Sequence, residues 1–390
     1  MQLVQRQLVL GPHRIDGDPA AVDAPYIVAG RRMYALGYGS TRIGPIGDEH
    51  LVGLMGGIWA HPARVADGFE VQIRDQNAAV LAPTNARLTE QLTTVCWDWQ
   101  SGDWQISRRD SILPDAPVYV LQCEVQNNGS HVDNGKIVVR AALGFLGCWF
   151  GGIASGAAHY RQSGSLVLGQ DGLHPEWGIA LGAAENPDRC TITPFAEQTL
   201  VELEYRFSLA PGERFTHRIL LAVGLSGGSD EAAELWQRQT TQPSALRESG
   251  RFPRSNQPQL TSEHHDLTRD VALAQANLEL LSADYPDLGP YFLAGLPEYP
   301  QLFGCDTTYS IPGAVAAGYA ATARAALETL ANYAARACGR VPHELTTNGR
   351  IFNPGNIQET PQFTIALWDY VRWSGDLDLA RDSLRSAARG

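Results

Sequence analysis

The chain has 390 residues, of which 44% are hydrophobic and 18% charged, and it carries a formal charge of −12 with a pI near 5.3. That length holds two or more domains, and the composition is globular, which excludes a disordered or collagen-like chain. With a single lysine, Lys136, and no cluster of basic residues, the sequence offers nucleic acid no electrostatic footprint.

The N-terminus MQLVQRQLVLGPHRIDG lacks a basic stretch followed by an apolar core, so no signal peptide is read there. No apolar run approaches the roughly 18–20 residues of a membrane span. The expectation is a soluble, cytoplasmic protein with no membrane partner. Residues 1–245 then read as a β-rich domain. In 118–125 (VYVLQCEV) β-branched and aromatic residues crowd together, NNGS and DNG supply turn residues that tolerate positive φ, and 136–143 (KIVVRAAL) makes the next strand. Near Val201, VELEYRFSL alternates with period two, APGE turns, and 214–223 runs back. Many short strands at this spacing, with no βαβ alternation, predict an antiparallel sandwich. Its tryptophans (Trp59, Trp97, Trp99, Trp104, Trp149, Trp177) fit a core or interface better than an open sugar platform.

Three local patterns in this part are weighed and set aside. GLSGG at 224–228 matches a nucleophile-elbow pattern on Ser226. An elbow, however, starts its helix at the serine on a mostly parallel sheet, and here Ser229 and Asp230 make the better helix start. The sequon at Asn128 reads as a turn. The six cysteines (Cys96, Cys123, Cys148, Cys190, Cys305, Cys338) form no CxxC pair, so they read as reduced and neither zinc-binding nor redox-active.

Residues 246–261, polar and proline-rich, read as a linker. A helical domain over 262–390 follows. Asp266 is expected to cap a first helix with an apolar stripe at Leu267, Val271, Ala274, Leu278 and Leu281. A second runs from about Ser310 to Ala317 with Pro312 in its first turn, a third from Ala320 to Cys338, stopped by Gly339. A fourth starts at Pro361, buries Phe363, Leu367, Tyr370 and Val371, and stops at Gly375. Asp376 or Asp378 caps a fifth, which runs into Gly390.

The most informative segments are the two long loops between these helices, YFLAGLPEYPQLFGCDTT at 291–308 and PHELTTNGRIFNPGNIQETPQF at 342–363. Ordinary helix connections are short and polar. These are aromatic and glycine-rich, and each delivers a carboxylate, Asp306 or Glu359, to a helix start. Such a pocket suits a sugar, whose ring faces stack on aromatics and whose hydroxyls bond to carboxylates. The candidate substrate-binding residues are Asp306, Gln358, Glu359, His343, Glu344, Tyr299 and Phe303. For Asp306 the bland alternative is an N-cap, and for Glu359 a first-turn acid facing the helix dipole. Glu359 is also the fallback general acid, provided burial raises its pKa. His343 and Glu344 open HELTT, half of a zinc-protease motif without its second histidine, so no metal is expected.

FGCDTTYSIPGAVAAGY is similar to the F-G-R-D-T segment and inner helix of the glycogen-debranching, amylo-α-1,6-glucosidase and related α-glucosidase group. YAATARAALETLA, VPHEL and QETPQFTIALWDYVRWSGD resemble that group's following outer helix, I-P segment, acid-containing motif and T-G-D turn. The resemblance is continuous from Tyr291 to Gly390. In the β part GLMGGIWAHPARVADGF resembles a family segment. It implies a β-sandwich followed by the first helices of an incomplete (α/α)6 toroid, and sugar contact by Asp306. Two departures stand out: Cys305 replaces the family arginine, and the family acid falls at Gln358 or Glu359.

In that family the general acid lies in a Trp-x-Asp segment after the fifth helix and the base much later. Neither follows Gly375 here. The expectation is therefore the N-terminal fragment of an inverting glycoside hydrolase acting on an α-glucan oligosaccharide or polysaccharide without any cofactor, or a chain completed by another. Phosphorolysis, which needs a cationic pocket from residues such as Arg340 and Arg350, and non-catalytic carbohydrate binding are the alternatives.

Overall fold

In the computed structural model the described residues are 3–10, 13–16, 20–21, 25–38, 42–43, 56–83, 86–148, 152–195, 198–241, 258 and 260–387. The chain divides into two compact units. One comprises 1–147 with 154–250, the other 148–153 with 251–390. The sequence-read linker at 246–261 lies almost wholly outside the described residues, as do Trp149 and the first part of GLMGG.

The first unit is built on two large sheets, with eleven and eight strands among the described residues. Nearly all pairings are antiparallel. The long central strands are 63–75, 133–147 and 198–209 in one sheet, and 104–112, 118–127 and 214–224 in the other. The exception pairs 5–8 with 87–90 in parallel. Inner-face aromatics join the sheets: Phe69 meets Tyr119 edge-on at 5.3 Å, and Tyr26 meets Trp97 at 5.1 Å. Trp59, Trp97, Trp99, Trp104 and Trp177 are all buried, so these tryptophans are core and not a sugar platform. Each buried aromatic removes a large apolar area from water, at roughly 25 cal/mol per Å².

One polar knot sits inside this core. Arg108 donates two 2.7 Å hydrogen bonds to Asp110, and Tyr119 donates a third at 2.6 Å. All three side chains are fully buried, and the Arg108 guanidinium also lies over the Trp97 ring at 5.2 Å. Saturating the carboxylate in this way is what allows a charge pair to survive without water.

At the end of strand 214–224 the chain turns into helix α1, Gly228–Thr241. Glu231 accepts the backbone N–H groups of Leu225, Ser226 and Gly227 at 2.8–2.9 Å, and the Ser226 hydroxyl donates to the same oxygen at 3.2 Å. Ser226 is thus tied to a carboxylate on an antiparallel sheet, a strand-to-helix turn and not a nucleophile elbow.

The second unit holds helices α2 (His265–Leu280), α3 (Gly304–Ala316), α4 (Ala320–Arg336), α5 (Glu359–Ser374) and α6 (Leu377–Ala387). A three-stranded sheet joins Leu302–Phe303, Glu344–Leu345 and Ile351–Asn353. Helix α3 packs on α5 and α4 on α6, so alternate helices in the chain are neighbours. Ile311, Ala314, Ala323, Leu327, Leu330, Phe363 and Leu367 share one core.

Several predicted helix details change. α2 has His264 and not Asp266 at its N-cap position. Its Leu267 and Ala274 are exposed while Gln275 and Ala276 are buried. α3 begins six residues earlier than the proline suggested, and Pro312 lies in its interior. The early start has a tertiary cause: Gly304 N–H donates to His343 O at 2.8 Å, and Thr308 Oγ1 bonds back to Gly304 O at 2.8 Å. α5 starts at Glu359, and Gly375 ends it in a left-handed conformation with its N–H on Val371 O. Asp376 caps α6 through a 3.1 Å bond from Leu379 N–H. No helix among the described residues is long and apolar enough to cross a membrane.

Candidate functional site

The two long loops meet in the second unit. Leu302 pairs with Leu345 and Phe303 with Glu344, so the strand before α3 lies beside the strand after VPH. Gly304 is required at this joint, since a Cβ there would collide with the Pro342 carbonyl oxygen. The next strand brings Asn353 N-terminal to α5, and His343 N–H donates to Asn353 O at 3.0 Å. Gly355, at φ +100°, lets the NPGN segment turn back, with Arg340 donating to its carbonyl.

Glu359, the first residue of α5, is fully buried. Its Oε1 lies 2.7 Å from His343 Nδ1, and its Oε2 accepts Asn356 N–H at 2.7 Å. Burial pushes its pKa up, but the Asn356 and Glu359 N–H groups and His343 outweigh that and hold the carboxyl below the usual range. A general acid must keep its proton near neutrality. Glu359 is set up instead as an ionised acceptor.

Glu344 is the opposite case. Burial raises its pKa, with His343 pulling weakly the other way, and its Oε1 is buried with no hydrogen-bond partner among the described residues. Its register opposite Phe303 puts it on that residue's face of the small sheet.

Asp306 is the third residue of α3 and exposed. The N-cap position belongs to Phe303, so Asp306 is not the cap that the sequence allowed. Beside it, Cys305 Sγ accepts the Gln358 side-chain N–H at 3.4 Å. Burial, then Asp306, then Glu359 push the Cys305 thiol up, which marks both carboxylates as its neighbours. The aromatics complete the group: Tyr299 stands edge-on to Phe303 at 6.0 Å, and Phe303 edge-on to His343 at 5.5 Å. All seven residues singled out in the sequence therefore gather around the starts of α3 and α5.

Sequence reasoning missed one neighbour. Gln301 is fully buried, and both polar atoms of its amide lack a partner among the described residues. Nothing in its spacing signals that. Arg340 lines a cleft of about 390 Å³ with Asn356, Ile357 and Gln358, and only folding puts them together. Among the described residues no group of His, Cys, Asp and Glu is arranged to hold a metal.

No family model matches the sequence, and no curated protein matches it. Solved structures do. A protein described as a kojibiose phosphorylase from the human microbiome matches with TM-score 0.59 at 9% identity, over 90% of this chain and 54% of that one. A bacterial glucoamylase complexed with acarbose matches with TM-score 0.60 at 11% identity, over 94% of this chain and 58% of that one. The fold is shared with these two proteins. At such identities only the fold is shown, and this chain spans little more than half of either neighbour's length.

Proposed function

We propose that the second unit carries the sugar-binding half of an inverting glycoside hydrolase site for α-glucosides, of the glycogen-debranching type. In this reading residues 262–390 supply the first hairpins of an (α/α)6 ring behind a β-rich domain over 1–245. The observation that carries it is the Glu359–His343 pair. It is a buried, ionised acceptor beside exposed Asp306 and the Tyr299–Phe303 aromatics. Asp306 accepts bonds from sugar hydroxyls, the aromatics stack on a ring face, Gln358 and His343 supply donors, and buried Glu359 orients His343. Glu344 offers a buried carboxyl oxygen with no hydrogen-bond partner among the described residues.

Inversion needs an acid and a base about 6.5–9.5 Å apart with water between. The residues proposed here supply sugar contacts and not that pair, so the expected readout of this site is binding. Isothermal titration of the chain with maltose through maltoheptaose tests this. Binding that Asp306→Ala abolishes supports the reading, and the absence of any heat from the unmodified chain removes it.

A second reading is phosphorolysis, favoured by Arg340 beside Gln358 in the 390 Å³ cleft, where a guanidinium suits phosphate. Product analysis with and without phosphate separates the two.

A further inference from the structure

The first unit contains a second cleft. It has a volume of about 570 Å³ and is lined by Leu143–Leu146, the coil residues Ser155–Ala158, Tyr160, Arg64 and Gln198. That volume is in the range of small-molecule sites.

Its origin is visible in the strand register. Strands 63–75 and 133–147 pair regularly as far as Ala142 opposite Gly68. The register then slips twice, to Leu143 opposite Ala66 and to Leu146 opposite Arg64. Gly144 and Phe145 are thereby left out of the ladder, the arrangement of a bulge, which bends a strand and re-aims its side chains. Gly144 keeps the wall low, since a Cβ there would press on the Gln198 stem at 3.3 Å.

The polar groups at this slip are tied to one another. Arg64 Nη1 lies 2.8 Å from Asp67 Oδ1, and Gln198 Nε2 donates to Asp67 Oδ2 at 2.8 Å. Arg64 is almost fully buried and Asp67 three-quarters buried. On the far side the Tyr160 ring packs against Gly169, and its hydroxyl is buried with no hydrogen-bond partner among the described residues. A cleft whose guanidinium is already neutralised by a carboxylate does not select an anion. Donors and acceptors between apolar walls match a neutral ligand with vicinal hydroxyls, which both donate and accept.

We propose that this bulge-lined cleft is a second oligosaccharide-binding site, separate from the helical one. Arg64 and Gln198, held in place by Asp67, bond to hydroxyls, and Phe145 and Tyr160 flank the sugar ring. The ligand class follows from the cleft's own chemistry. The choice of an α-glucan probe rests on the proposed function.

The test is isothermal titration of the full chain with maltoheptaose, with thermal melting of each variant as a check on folding. Ser155→Trp fills the cleft from its coil wall, and Gln198→Ala removes one donor while keeping both members of the Arg64–Asp67 pair. The expected result is two binding events per chain. Ser155→Trp removes one of them, Gln198→Ala weakens that same event at least fivefold, and Asp306→Ala removes the other. If the folded Ser155→Trp and Gln198→Ala variants bind as the unmodified chain does, the cleft proposal is overturned while the helical site stands. If Asp306→Ala changes nothing and Ser155→Trp abolishes all binding, the cleft stands and the helical site falls. Absence of any binding overturns both.

Discussion

His343 Nδ1 lies 2.7 Å from Glu359 Oε1, and the carboxylate is fully buried while the imidazole keeps a quarter of its side-chain surface. The histidine is thus the link between an inaccessible acid and the outside. Its backbone is held at both ends, its N–H by Asn353 O and its carbonyl by Gly304 N–H. An ionised carboxylate this deep persists because each oxygen has a donor.

That arrangement makes stability depend on pH with a definite sign. Glu359 has a folded-state pKa below its unfolded value, so its contribution is fully present above the unfolded carboxylate range. It is lost as pH falls through the folded pKa. Melting temperature measured from pH 7 downward on the unmodified chain and on Glu359→Gln reads this out. The gap between the two is expected to be largest near pH 7 and to shrink as pH falls below the ordinary glutamate value of about 4.3. A gap that is constant with pH means the carboxylate is not ionised in the fold.

Cys305 touches Gln358, with Asp306 and Glu359 as electrostatic neighbours. Cys305→Arg places a permanent donor between two acceptors and is expected to tighten maltoheptaose binding at the helical site about tenfold, or ~1.4 kcal/mol. Cys305→Ser, which adds no charge, serves as the control. Equal affinities for both variants would remove Cys305 from the site.

Gly304 is the hinge between the two loops. Gly304→Ala drives a methyl into the Pro342 carbonyl and so displaces the segment that carries His343. Maltoheptaose affinity is expected to fall at least tenfold, with melting lowered by several degrees. Gly313, around which nothing lies within 4 Å of a built Cβ, supplies the comparison: Gly313→Ala should leave affinity unchanged.

The sandwich core offers an independent check on the first unit. Arg108→Met strands the Asp110 carboxylate in the interior and is expected to cost about 3–5 kcal/mol in urea unfolding. Tyr119→Phe removes one of that carboxylate's donors and is expected to cost about 1–3 kcal/mol. If Arg108→Met costs less than Tyr119→Phe, the pair is not charged in the folded protein.

The amino-acid sequence determined the local elements. Period-two runs such as VELEYRFSL became strands because alternation puts one face on a core whatever the partner is. Gly375 ended α5, and Asp376 capped α6, because turn and cap chemistry act over a few residues. The two aromatic loops also announced themselves, and their residues do converge. What the tertiary structure alone decided is how each group behaves there. α3 starts at Gly304 because a distant carbonyl accepts its N–H, overriding the start that Pro312 favours. Glu359 and Glu344 are the same residue type in the same loop, yet one is pulled down by three donors and the other pushed up by burial without one. The slip in register that opens the cleft at Arg64 leaves no mark in composition or period, because it arises from the pairing of strands some eighty residues apart. Charge state and cavity shape are set by neighbours, and neighbours from distant parts of the chain meet only when it folds.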